Sequence, residues 1–151
     1  MDIGEARRTF RDVRVAYIAS LNPDGGPHVV PLWFVWLPDA IYLTSRKGSQ
    51  LCRNLRRDDR VGVTMERGTG WTEQAGILVR GRAIPLDRDH ADTKKALSAW
   101  FEKYRSELAS GGFAAYTQQV REPVVLTVAA DRISSWIHAR RRATPGPGPL
   151  G

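Results

Sequence analysis

The segment from Ile41 to Leu55, IYLTSRKGSQLCRNL, brings hydroxyls, cations and a helix start together within a few residues. Ile41, Tyr42 and Leu43 favour a strand, Gly48 breaks it, and Ser49 can cap a helix carrying Leu51, Cys52 and Leu55. A strand run into a helix N-terminus presents unpaired backbone N–H groups beside Thr44, Ser45, Arg46 and Lys47. That set of donors and fixed charges suits a phosphate. Upstream, Pro31 interrupts the segment Pro31-Leu32-Trp33-Phe34. Its missing N–H breaks ladder hydrogen bonding and leaves backbone groups for an edge-on ligand. A flat, apolar heteroaromatic ring joined to a phosphate matches both features, which points to a flavin-like cofactor.

Other chemistries lack their residues. His28, His90 and His138 are scattered, with no spacing that makes a metal site. No serine sits in a Gly-x-Ser-x-Gly elbow, and neither a phosphate-binding Gly-x-x-x-x-Gly-Lys-Ser/Thr loop nor a Gly-x-Gly-x-x-Gly fingerprint occurs. The formal charge of +7 invites a nucleic-acid partner. Much of the excess, however, is local to Arg7, Arg8, Arg11 and Arg14 and to Arg140, Arg141 and Arg142, and no nucleic-acid motif accompanies it. A phosphorylated or acidic small molecule is the better-supported partner. Cys52 is the lone cysteine, which excludes an intrachain disulfide and fits a reducing cytoplasm. Its place beside Leu51 suggests packing. The N-terminal residues do not read as a signal peptide, and the longest apolar run, 29–37, is too short to span a bilayer. A cytoplasmic protein without membrane association is expected.

The elements that must position this chemistry are mostly strands. With 151 residues, 42% hydrophobic and 26% charged, the chain suits one domain, taken as residues 1–142. A Pro/Gly tail at 143–151 is expected to be disordered. A short basic helix at 4–12 leads into a strand at 13–21 that reads as buried on both faces. The turn Asn22-Pro23-Asp24-Gly25-Gly26 and a strand at 28–37 complete a hairpin, and Pro38-Asp39 leads to the Ile41 strand. Further strands are read at 61–65 and 76–85, then at 124–128 and 132–138. A long helix runs from Asp87 to about Leu108, with Leu97, Trp100, Phe101, Tyr104 and Leu108 on one stripe, and a shorter helix follows at 113–120. The pattern is mainly β with a helical insert: an antiparallel sheet of six to seven strands, long enough to close into a barrel. Two nearly continuous apolar strands, 15–21 and 29–37, carry more hydrophobic surface than one small barrel covers, so a homodimer is expected.

The order AYIASLNPDGGPHVVPLWF, IYLTSRKGSQLCRNLRRDDRVGV, GILVRGRAIPL and SSWIHAR resembles the pyridoxamine 5'-phosphate oxidase-like split β-barrel family, in its flavin/deazaflavin oxidoreductase branch. The resemblance covers about residues 10–140. It implies a split barrel with crossing helices and a homodimer that binds FMN or the deazaflavin coenzyme F420 at the subunit interface. By the family pattern Pro31, Leu32 and Trp33 lie against the ring, and Thr44 and Ser45 lie along the ribityl or phosphate chain. Ser49, Arg53 and Asn54 fall at the phosphate, and Gln50, Arg46 and Lys47 are also expected to bind the cofactor. Trp136, His138 and Arg140 match the family's C-terminal Ser-Trp-x-His segment and would reach the partner's cofactor. The family usually has a lysine where this chain has Leu51: either Arg46 and Lys47 replace its charge, or the cofactor is held weakly or not at all. The resemblance implies an oxidoreductase transferring a hydride to or from a small organic substrate, with the deazaflavin slightly favoured. The fuller Arg and His set of a true pyridoxamine 5'-phosphate oxidase is missing from the C-terminal segment, so that activity is not expected. The alternative is a non-catalytic module for FMN, haem or another tetrapyrrole, with His28 or His138 as the ligand.

Overall fold

The computed structural model describes residues 1–112, 115, 116, 118 and 122–138. Arg140, the 143–151 tail and much of the short helix expected at 113–120 lie outside them.

Six antiparallel strands, β1 (Val15–Leu21), β2 (Pro27–Trp36), β3 (Ile41–Arg46), β4 (Arg60–Arg67), β5 (Ala75–Pro85) and β6 (Pro123–Ile137), close into a barrel of order β1-β2-β3-β6-β5-β4. The ring is closed by β1 against β4, where Tyr17 faces Thr64 and Ala19 faces Gly62. Alternation sends Ala16, Ile18, Phe34, Leu43, Val63, Ile77, Val79 and Leu126 inward, all fully buried. The β1–β2 turn follows its sequence: Gly25 takes φ +81°, and Asp24 Oδ1 accepts from the Gly26 N–H at 2.9 Å.

The segments 124–128 and 132–138 are not two strands. They form one, β6, which runs beside β3 over Pro123–Val128 and along the whole of β5. The register shifts between Arg80 and Gly81, which face Arg132 and Ala130, so Asp131 is the extra residue of a β-bulge. A side chain on Gly81 would collide with the Ala129 carbonyl. The strand bends here and keeps going.

Three longer helical elements dress the barrel. In α1 (Ile3–Phe10), capped by Asp2 Oδ1 accepting from the Glu5 N–H at 2.8 Å, Ala6 and Phe10 join the barrel's apolar interior. In α2 (Gln50–Arg57), Leu51, Cys52 and Leu55 do the same. α3 (Ala91–Lys103) lies outside, packing Ala96, Trp100 and Tyr104 on Val35, Tyr42 and Val125. It is shorter than its periodicity suggests. His90 caps its start by accepting from the Asp92 N–H at 3.0 Å. Tyr104 leaves helical geometry, and a single turn, α4 (Arg105–Glu107), passes into a π-turn over Leu108–Gly112 with Gly111 at φ +94°. Its inner stripe is Thr93, Ala96, Trp100 and Tyr104, and Phe101 stays 42% exposed. β1 likewise has one buried face, since Tyr17 is 44% exposed: among the described residues no helix covers the barrel wall there. Among the described residues no helix is long and apolar enough to cross a membrane.

Candidate cofactor-binding cleft

The cleft originates in how β2 divides its pairing. Over Pro27–Trp33 the strand pairs with β1, whereas only Phe34–Trp36 pairs with β3. Between the two ladders β2 and β3 separate, opening a cleft of about 970 Å³. Its walls are His28, Val30, Pro31, Leu32 and Trp33 on one side and Thr44, Ser45 and Arg46 on the other. Ser49, Gln50 and Leu51 close one end, and Tyr116 also borders it.

The backbone orientation of β2 follows from one side chain. The Phe34 N–H donates to the Tyr104 hydroxyl oxygen at 3.0 Å, and that hydroxyl lies 2.9 Å from the Phe34 carbonyl and 2.7 Å from the Arg14 carbonyl. Tyr104 thus inserts a rung where β1 ends, so Phe34 turns its amide and carbonyl towards β1. By strand alternation Val29, Pro31 and Trp33 turn theirs the other way, into the cleft. At Pro27 and Pro31 no N–H is left unpaired on this edge, and by the same alternation the N–H groups of Val29 and Trp33 face the cleft rather than β1.

Aromatic packing stiffens the same wall. Trp33 stacks on Tyr104 with centroids 4.3 Å apart and planes at 10°, and Trp100 backs it at 5.5 Å. Lys103 Nζ donates to the Phe34 carbonyl at 2.9 Å and sits 3.7 Å from the centre of the Phe34 ring. Burial pushes this amine down to about 8 and the Tyr104 phenol up to about 12. Burial also raises Tyr116, against a lowering contribution from its hydrogen bond with Thr44.

At the other end Ser49 caps α2: its Oγ accepts from the Cys52 N–H at 3.2 Å and lies 3.1 Å from Ser45 Oγ. The amides of Gln50 and Leu51, first in the helix, have no carbonyl a turn earlier to bond within it. Arg46 is exposed, and its guanidinium has no partner among the described residues. Hydroxyls, amides and one exposed cation therefore meet where an anion would sit.

The sequence matches the pyridoxamine 5'-phosphate oxidase family model over residues 3–137. The chain belongs to that family. Among solved structures of the pyridoxamine 5'-phosphate oxidase-like fold, a conserved hypothetical protein of Mycobacterium tuberculosis aligns at 25% identity with a TM-score of 0.74, over 91% of this chain and 86% of its own. A FAD-binding protein from Mesorhizobium loti aligns at 21% identity, TM-score 0.68, over 89% and 92%. A heme storage protein from Vibrio cholerae aligns at 15% identity, TM-score 0.68, over 91% and 95%. Similarity at the latter two levels shows a shared fold. No curated protein matches the sequence.

The family's motif positions fall into distinct places in this chain. Pro31, Leu32, Trp33, Thr44, Ser45, Arg46, Ser49 and Gln50 come together at the cleft. Lys47 turns away to Glu122, 3.2 Å from its carboxylate. Arg53 folds back on its own helix, donating to the Gly48 carbonyl at 2.5 Å and to Gln50 Oε1 at 2.6 Å. Asn54 is fully buried, its Nδ2 donating to Ser20 Oγ at 3.0 Å and Asn22 Oδ1 at 3.1 Å while its Oδ1 accepts from Gln50 at 2.8 Å. Trp136 lies at the far end of β6 on Gly76, and His138 stacks with Trp71 at 4.3 Å; neither borders the cleft of its own chain. The motif did not identify His28, Val30 and Tyr116 as cleft residues, and it reached Leu51 as the position of the family's lysine. For His28 and Val30 the signal was present, since both share a strand face with Leu32.

Proposed function

We propose that this family member binds a flavin-type cofactor, coenzyme F420 or FMN, in the β2–β3 cleft, and that as a homodimer it moves a hydride between that cofactor and a small organic substrate. The observation that carries the reading is the parting of β2 from β3. It creates one slot with an apolar, aromatic-backed wall, an unpaired strand edge, and an anion-ready end. Pro31, Leu32 and Trp33 would hold the ring, Thr44 and Ser45 the chain, and Ser49, Gln50 and Arg46 the phosphate. Bound there, the cofactor supplies the hydride chemistry. The chain's own part is to orient the ring by the Val29 and Trp33 backbone and to keep water from its face. Among the two cofactors F420 is favoured, because its acidic tail suits the unpartnered Arg46 at the cleft mouth.

The homodimer is supported by the outer barrel wall. Tyr17, Val29 and Trp136 are 44%, 57% and 44% exposed, and Trp71 is 73% exposed. Strand pairing places Pro31, Tyr17, Thr64 and Leu78 in one row across β2, β1, β4 and β5, continuous with the cleft edge. A second copy covering this wall would bring its own Trp136 and His138 towards the cleft. The rival reading, a haem-binding module, is favoured by one observation: His28 Nδ1, at the cleft, is buried without a hydrogen-bond partner.

Titration of purified protein with F420, FMN and haemin, followed by fluorescence and absorbance, tests the reading. Saturable flavin binding that weakens in Arg46→Ala is expected. Failure of both flavins, with haemin giving a sharp Soret band abolished by His28→Ala, would transfer the case to the haem module.

A further inference from the structure

We propose that His28 contacts the phosphate of the bound cofactor, its imidazole turning so that the Nδ1–H, which no described residue satisfies, donates a hydrogen bond to a phosphate oxygen at the start of α2. The inference rests on the flavin-type reading of the cleft and names a residue of that site outside the family motif. A buried polar atom without a partner is uncommon in a folded protein and calls for a ligand, ion or water to complete it. Among the described residues two side-chain atoms are in that condition, Trp100 Nε1, held within the aromatic cluster beneath α3, and His28 Nδ1. Only His28 borders the cleft.

Its position within the cleft follows from register. His28 pairs with Ser20, and directly paired residues project to the same face. Ser20 Oγ accepts from Asn54 on α2, and Asn54 Oδ1 accepts from Gln50. His28 therefore stands at the α2 end of the cleft, among the Ser45 and Ser49 hydroxyls and the Gln50 and Leu51 amides. Those neighbours are donors or can act as donors, as does the Arg46 guanidinium, so an acceptor-rich anion is the group that would complete the set. Arg53 and Arg57 are drawn to the Gly48 and Leu21 carbonyls, and Asp24 to the Gly26 amide. Arg46 and His28 are left as the groups free to answer an incoming phosphate.

The test uses the full chain, labelled with 15N, whose three histidine imidazoles, His28, His90 and His138, are assigned by single substitution. Inorganic phosphate and then FMN are added while the ring resonances are followed. Affinities for FMN and for riboflavin, which lacks the phosphate, are measured in wild type and His28→Gln. A saturable shift of the His28 ring alone is expected. FMN binding should weaken by about tenfold or more in His28→Gln, as for loss of a hydrogen bond to a charged group, with riboflavin affinity unchanged. FMN binding to wild type with no His28 shift, and equal FMN affinity in His28→Gln, would overturn the proposal. A His28 shift with phosphate but no flavin binding would sink the cofactor reading and keep His28 as an anion contact. Absence of both, or haemin ligation through His28, would end the proposal.

Discussion

Tyr104 joins three parts of the molecule through one oxygen: the end of β1 through the Arg14 carbonyl, and β2 through both the amide and the carbonyl of Phe34. Removing that oxygen would leave a buried amide without an acceptor, which costs about 1–3 kcal/mol. Tyr104→Phe should therefore lower the urea midpoint without changing the slope, and should weaken flavin binding because the β2 backbone beside Trp33 loses the hydroxyl that holds it at Phe34. Lys103, its neighbour, gives a pH prediction. Its amine titrates near 8 in the fold against 10.5 when free, so between these values the unfolded chain binds more protons than the folded one. Stability then rises with pH through that window. Below about 8 both states hold the proton and the desolvation penalty is present in full; above 10.5 it has vanished. Denaturation curves at pH 7, 8.5 and 10 should show wild type gaining on Lys103→Met as pH rises. A constant difference would show that the cation–π contact with Phe34 offsets the burial. Of these roles the sequence disclosed only the apolar character of the Trp100–Tyr104 stripe, because a hydroxyl's partners 70 and 90 residues away leave no local pattern.

At the level of elements, two glycines on β5 make opposite predictions. A methyl on Gly81 would strike the Ala129 carbonyl, a backbone atom held in the β5–β6 ladder at the bulge. Gly81→Ala should cost roughly 2–4 kcal/mol, read from thermal or urea unfolding. On Gly76 the same methyl meets the Trp136 indole, which is 44% exposed and able to swing away. Gly76→Ala should cost about 1 kcal/mol or less but shift the Trp136 emission, identified by comparison with Trp136→Phe. Equal losses at both positions would contradict the assignment of Gly81 to the bulge. The strands themselves were legible from alternation and turn residues. The bulge was not: an extra residue in Ala129-Ala130-Asp131 breaks the period of two just as a loop does, and only pairing with β5 distinguishes them. The C-terminus of α3 was overread for a similar reason, since apolar spacing continues through Leu108 although the backbone leaves helical geometry at Tyr104.

For the whole molecule the decisive surface is the outer wall of β1, β4 and β5, which α3 leaves uncovered. If a second copy covers it, light scattering should report about twice the 16.9 kDa chain mass, and Tyr17→Glu should yield a folded monomer that has lost flavin affinity. A Tyr17→Glu monomer with full affinity would show that the partner contributes nothing to the cleft. The sequence by itself determined the strand alphabet, the capped start of α2, and the meeting of Ser45, Arg46 and Ser49, because each depends on neighbours within a few residues. The tertiary structure alone decided that β2 serves two ladders and parts from β3, that Asn54 and Arg53 are engaged within the fold, and that His28 stands unpartnered beside α2. Those outcomes depend on register, on which residue faces which across the barrel. Register is set by closure of the entire sheet, and no short stretch of the chain carries it.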